Sequence, residues 1–220
     1  MHLDEACICS RASPAVDILI QWLSRRAGPI LLAIDAPLGW PSQLSAALID
    51  HVAGAEIGVQ PNMMFRRATD RFVQEKLGKT PLDVGADRIA RTAHSALAIL
   101  GSLRQELGQD IPLAWSTDFD HISAIEVYPA ATLIAHGIGS SGYKNSDQIA
   151  RRQSIIESLK ARVTISEEIS IIRSSSDALD AAVCVLAGAD FLRKRALDPE
   201  DLAVAKREGW IWFPLPLEPG

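Results

Sequence analysis

The chain of 220 residues has few cysteines, few aromatic side chains and no excess of positive charge. Three cysteines cannot all pair internally, and no Cys-x-x-C occurs, which argues against a disulfide framework. Cys7 and Cys9 share a face if their segment is extended, and Cys184 lies among apolar residues. Reduced, mostly buried thiols and a cytoplasmic location are therefore expected. A net charge of −5 and a pI near 5.5 exclude a protein that coats nucleic acid non-specifically. Local basic clusters remain at Arg66-Arg67 with Arg71, at Arg151-Arg152 and at Arg193-Lys194-Arg195, where solvated helix faces are the plainest reading. No uncharged apolar run approaches the roughly 18 residues that a membrane span needs. Asp4 and Glu5 stand where a signal peptide would be basic and then apolar, so no leader and no membrane partner are expected.

Hydrophobic residues make up 48% of the chain, ample for one core. A single α/β domain over residues 1–220 is expected, with a helical insertion at about 43–108. Leu3 to Ser10 reads as a strand. Ser13-Pro14 then starts a helix that carries Val16, Leu19, Ile20 and Leu23 on one stripe and stops at Gly28-Pro29. Ile30 to Ile34 is a continuous apolar strand of the kind buried on both faces, and strand–helix–strand in that order predicts a parallel pair. Gln43 to Val52 reads as helix. Phe65 to Leu107 reads as mostly helical, broken at Gly78-Lys79-Thr80-Pro81. Ser123 to Tyr128 is a second core strand, and a short helix follows to Ala135. Helices are predicted over Ser146 to Arg162, over Asp177 to Lys194 behind three serines, and from Pro199. Trp210 to Pro214 reads as a late strand.

Four acidic residues interrupt these apolar segments. Asp35 ends the run Ile30 to Ile34, Glu126 lies inside Ile125 to Pro129, and Asp177 and Asp180 open an almost wholly apolar helix. A buried carboxylate is costly unless it is paired, and a divalent cation is one good partner. Ligands gather outside the carboxyl ends of strands in open α/β sheets, where Asp35 sits. Asp177 and Asp180, spaced i, i+3, project from one helical face. Oxygen-only ligands select Mg²⁺ or Mn²⁺, and two such ions can clamp a phosphodiester. Plainer roles stand beside this one. Asp177 completes a helix N-terminus, Asp35 caps a turn, or Glu126 pairs with an arginine from the helical insertion. Asp180 is the hardest of the four to explain in such terms.

Other signals carry less. Gly137 to Lys144 mimics a phosphate-binding loop, but its lysine falls one position late. Among the five histidines none shows metal-ligand spacing, and only His121 lies near an acidic cluster. No Gly-x-Ser-x-Gly elbow occurs.

The segments Leu32 to Pro41, Phe65 to Arg71, Glu126-Val127-Tyr128-Pro129, Asp177 to Ala181 and Glu208 to Pro214 together resemble a family of unknown function described as predicted RNase H-like nucleases. The resemblance covers nearly the whole chain from about Leu3. It implies an RNase H-like mixed sheet with flanking helices, metal-dependent phosphodiester hydrolysis with Mg²⁺ or Mn²⁺, and a nucleic acid or another phosphate ester as substrate. It implies that Asp35, Glu126 and Asp180 are catalytic and that Asp35, Asp177 and Asp180 hold metal. Arg66, Arg67, Arg71 and Lys144 would position phosphates. The chain departs from the family pattern at its start, which corresponds to the third strand, so the fold is expected to be N-terminally shortened by two strands and to lack the first-strand carboxylate. Either the natural chain starts further upstream, or Leu3 to Ser10 pairs directly with Ile30 to Ile34, or a second copy fills the gap. The exposed sheet edge favours self-association. The alternative function is a non-catalytic binding or interaction protein on the same fold. A phosphotransferase of the actin-like kinase group shares the fold core but needs more chain than this.

Overall fold

The computed structural model describes residues 1–10, 14–85, 87–166 and 169–216. In chain order its elements are β1 (His2–Leu3), α1 (Ala15–Leu23), β2 (Ile30–Ile34), α2 (Ser42–Leu48), α3 (Pro61–Phe65), α4 (Ala68–Leu77), α5 (Asp87–Leu107), β3 (Ile122–Glu126), α6 (Pro129–Ala135), α7 (Ile149–Lys160), β4 (Thr164–Ile165), α8 (Ile171–Ser174), α9 (Ser176–Leu192) and α10 (Leu202–Glu208). The class is mixed α/β.

β2 and β3 pair in parallel, with Ile30 opposite Ile122 and Ile34 opposite Glu126. β3 is the inner strand. On its other side Ala114 N donates to Ala124 O (2.8 Å), Ala124 N to Pro112 O (2.9 Å) and Trp212 N to Glu126 O (3.1 Å). All five β3 residues are accordingly buried. β2 pairs only with β3 among the described residues, and its five residues are half-buried. Its side chains alternate as a strand's must. Leu31 and Ala33 face Gly188 of α9, while Ile30, Leu32 and Ile34 pack with Leu23 of α1 and Ala96, Leu100 and Leu103 of α5. Helices thus cover both faces. An apolar groove of about 540 Å³ runs along the unpaired edge.

Helix ends follow local chemistry. The Ser175 hydroxyl accepts from Ala178 N at the start of α9, and the Asp201 carboxylate accepts from Ala203 N and Val204 N at the start of α10. α4 stops at Gly78 in the left-handed region (φ 64°), which glycine enters without steric cost. The Glu208 carboxylate, brought back by α10, accepts from Ser42 N (2.8 Å) and Ala68 N (2.7 Å). One side chain therefore caps two other helices, and these bonds hold its pKa below the usual value against the opposing effect of burial.

Several expectations are corrected. The strand expected over Leu3 to Ser10 reduces to His2–Leu3. It pairs in parallel with Thr164–Ile165 rather than with Ile30 to Ile34, because the apolar side of Leu3 packs with α7–α9. Cys7 and Cys9 are exposed, not buried, and only Cys184 lies in the core. β2 has helices on both faces as expected, but its outer edge is unpaired among the described residues and its residues are only half-buried. Trp210 to Pro214 forms isolated bridges, Glu126 with Ile211 and Ala196 with Pro214, instead of a continuous strand. The last helix starts at Leu202, not at Pro199. The ladders among the described residues are two short parallel pairs, which do not amount to the mixed sheet that the resemblance implies. The serine expected to cap α1, Ser13, lies outside the described residues, and Pro14 takes the cap position. No helix of the described chain is long and apolar enough to cross a membrane.

Candidate active site

Parallel pairing puts the carboxyl ends of β2 and β3 on one edge, and Val127 N donates to Ile34 O (2.8 Å) to keep them level. A cleft of about 410 Å³ opens there, lined by Asp35, Lys79, Glu126, Tyr128 and Lys144 among others. One carboxylate cluster lines it through Glu126 and Asp70, and a second reaches it through Asp35 and Lys144.

The first is sealed. Both oxygens of Glu126 accept from the Arg67 guanidinium at 2.7 Å, and Glu126 Oε2 also accepts from Leu38 N (2.9 Å). The other side of the same guanidinium donates to Asp70 (2.9 and 3.1 Å), and its Nη1 also reaches the Glu208 carbonyl (3.2 Å). Arg67 is 1% exposed. Burial works against its charge, but Glu126 and Asp70 outweigh that and push its pKa up. Such fork-shaped pairs are the strong form of ionic hydrogen bond. Arg67, expected to hold phosphate, spends every nitrogen inside the protein. Arg66 pairs with Asp83 (2.9 Å), and Arg71 donates to the Arg66 carbonyl (2.7 Å). Neither lines the cleft.

The second cluster is open. Asp180, in the second turn of α9, is buried. It accepts from the Tyr143 hydroxyl (2.5 Å) and pairs with Lys144 Nζ (2.9 Å). Asp35 is exposed and has no hydrogen-bond partner among the described residues. Crowding by neighbouring atoms, then the like charge of Asp180, pushes its carboxyl from 3.8 up to about 7, against the opposing effect of Lys144, with smaller contributions from Asp177 and Glu126. Solvent screens part of this push, since the residue is open to water. Three of the four acids singled out in the sequence thus act on the fourth, Asp35, and of these Asp180 acts most. Neither Asp35 nor Asp180 is held by an arginine fork of the kind that grips Glu126. Asp177 is exposed one turn earlier. Burial works against the charge of Lys144, yet Asp180 and Asp35 raise its pKa and keep it an ammonium. Burial and Asp180 push Tyr143 up, so its phenol stays a donor.

The loop that carries Tyr143 and Lys144 is fixed from below. Arg152, on α7 and 1% exposed, donates to the carbonyls of Tyr143 (2.7 Å), Asn145 (2.7 Å) and Ser146 (3.0 Å), and to Arg173 O (2.8 Å). The expected solvated face at Arg151-Arg152 is therefore half wrong: Arg151 reaches Gly139 O (3.1 Å) at the surface, whereas Arg152 is structural. Sequence reasoning also missed the parts played by Tyr143 and Tyr128, and Asp70, which the resemblance placed with Arg66, Arg67 and Arg71 in a substrate clamp, instead pairs with the buried Arg67. Only the Gly142-Tyr143-Lys144 run hinted at the first. His121 precedes β3, at the end opposite Glu126, and stays outside the cleft.

Among the described residues no group of three or more His, Cys, Asp or Glu side chains is placed to cage a metal ion. Mg²⁺ does not require one: it takes one or two carboxylates, waters and substrate phosphate. Asp35, with both oxygens free, and Asp180 fit that open coordination and do not fit a closed tetrahedral zinc site.

Fold and cleft together define a mixed α/β protein with a cleft at its strand ends that Asp35, Asp70 and Glu126 line. A family model described as "Protein of unknown function (DUF429)" matches residues 6–202, and the chain belongs to that family. Comparisons with curated proteins and with solved structures returned no match.

Proposed function

We propose that the cleft hydrolyses phosphate esters, in an RNase H-like manner, with Mg²⁺ or Mn²⁺ held by Asp35 and Asp180 and with Asp177 adding negative charge at the rim. The observation that carries this reading is the Asp35 carboxyl, which lines the cleft without a hydrogen-bond partner among the described residues, beside Lys144, which lines the same cleft and pairs with the buried Asp180. When bound, the ion supplies Lewis-acid polarisation of a phosphoryl oxygen. Asp35 and Asp180 orient it, and Tyr143 holds Asp180 in one rotamer. Lys144 and Lys79 offer positive charge to phosphate. Glu126, through Arg67 and Leu38 N, sets the shape of the cleft wall rather than touching the ester. A nucleic acid is the favoured substrate class and a small phosphate ester the alternative, both in the cytoplasm. Nuclease assays with Mn²⁺ on single-stranded, duplex and hybrid substrates test this. Wild type is expected to cleave at least one, and Asp180→Asn to lose about 100-fold or more. Equal activity in both would reject the role of Asp180.

A second reading, a non-catalytic binding protein, is favoured by one observation: Asp180 is already neutralised by Lys144 and Tyr143. Calorimetric titration with Mn²⁺ separates the two, since no heat at millimolar metal favours this second reading.

A further inference from the structure

The ammonium that pairs with Asp180 occupies the space on which the proposed metal site depends. Lys144 Nζ lies 2.9 Å from Asp180 Oδ2, and Lys144 and Asp35 line the same cleft. The lysine side chain is 61% exposed while its carboxylate partner is 5% exposed. An exposed, solvent-reaching cation is thus laid over a buried anion. Its backbone is held in place, because the buried Arg152 binds the carbonyls on either side of it. The loop aims the lysine, and the exposed tip has solvent to turn into.

We propose that Lys144 is a built-in counter-ion for the Asp35–Asp180 pair, which a divalent cation must displace and which then turns toward substrate phosphate. This rests on the metal-dependent reading above and deepens it by making metal entry and phosphate capture one exchange. Two like-charged carboxylates facing each other are unfavourable without a cation between them. The ammonium meets that need at rest, so any metal binds in competition with it. Once released, the ammonium loses its anionic partner and stands at the mouth of the cleft, where a phosphate is the group of opposite charge. The device also protects the site from holding adventitious metal without substrate.

The test is Mn²⁺ binding by calorimetry on the full chain, comparing wild type with Lys144→Met and Lys144→Gln, together with lysine acetylation footprinting of wild type with and without millimolar Mg²⁺. Removing the ammonium is expected to tighten Mn²⁺ by about tenfold, a coupling of ordinary size between two ligands of one site. Labelling of Lys144, normalised to the exposed Lys206, is expected to rise severalfold with Mg²⁺. Mn²⁺ binding in wild type that neither variant tightens, with labelling unchanged by Mg²⁺, overturns the counter-ion role and leaves the metal site standing. No Mn²⁺ binding in any of the three proteins overturns the metal reading and this inference with it. The footprint needs no variant, so a misfolded substitution cannot decide the question.

Discussion

Glu126, which lines the cleft, and Asp180, whose partner Lys144 lines it, are both buried carboxylates with a cation partner, yet they are different kinds of site. Glu126 is gripped by an arginine whose remaining donors are taken up by Asp70 and a carbonyl, so nothing can enter without breaking the wall. Asp180 is held by a phenol and a lysine that reaches in from solvent, and its neighbour Asp35 has no hydrogen-bond partner among the described residues. An acidic residue in an apolar segment is therefore not enough to mark a functional group. What separates the two is whether the partner is rigid and used up, or exchangeable.

The comparison can be broken first at Arg67. Its replacement by Met strands Glu126 and Asp70 in the interior, and a loss of about 3–5 kcal/mol is expected in urea denaturation. The triple change Arg67→Met, Glu126→Gln, Asp70→Asn is expected to lose less than Arg67→Met alone, since no unpaired charge remains. If the triple variant were the weaker, the sealed cluster would be more than a neutralised one. At the open cluster the effect is smaller. Tyr143→Phe takes one donor from a carboxylate that keeps its lysine, so about 1–3 kcal/mol is expected by the same measurement.

The mildest effect is a pH dependence. The folded state holds the Asp35 proton more tightly than the unfolded chain does, with a pKa of about 7 against 3.8. Its contribution to stability is therefore complete below about pH 3.8 and is lost as pH rises through 7. Urea midpoints measured in chelator at pH 5 and pH 8 should show Asp35→Asn gaining on wild type at the higher pH. A constant difference would mean that Asp35 ionises in the fold as it does in water.

Much of the fold was legible. The apolar run Ile30 to Ile34 matches β2 residue for residue, and Gly78 and the helical spacing of Ile89 to Leu107 located the break between α4 and α5. Leu3 to Ser10 misled because its partner lies some 160 residues away and only Leu3 among its early residues is buried. Trp210 to Pro214 misled because aromatic content suits a strand and a packed, irregular segment equally. In the site, pairing Glu126 with an arginine from the insertion was one of the readings open from the sequence. Arg67 was nonetheless expected to hold phosphate, since no local pattern distinguishes an arginine sealed by distant carboxylates from one facing water. The same blindness hid Arg152, whose acceptors are backbone carbonyls with no side-chain signature.

Gly39 lies so close to the last turn of α10 that an added Cβ would sit 2.6 Å from the Glu208 carbonyl carbon and oxygen. The same C-terminal stretch supplies Trp212 N to β3 and Glu208 O to Arg67. The wall around Asp35 thus joins segments about 170 positions apart in the sequence. Domains emerge from the ribosome amino end first, so this cleft cannot take its final shape until Glu208 and Trp212 have been synthesised, and a nascent chain stalled before Glu208 would present β2 and its acid without their enclosure.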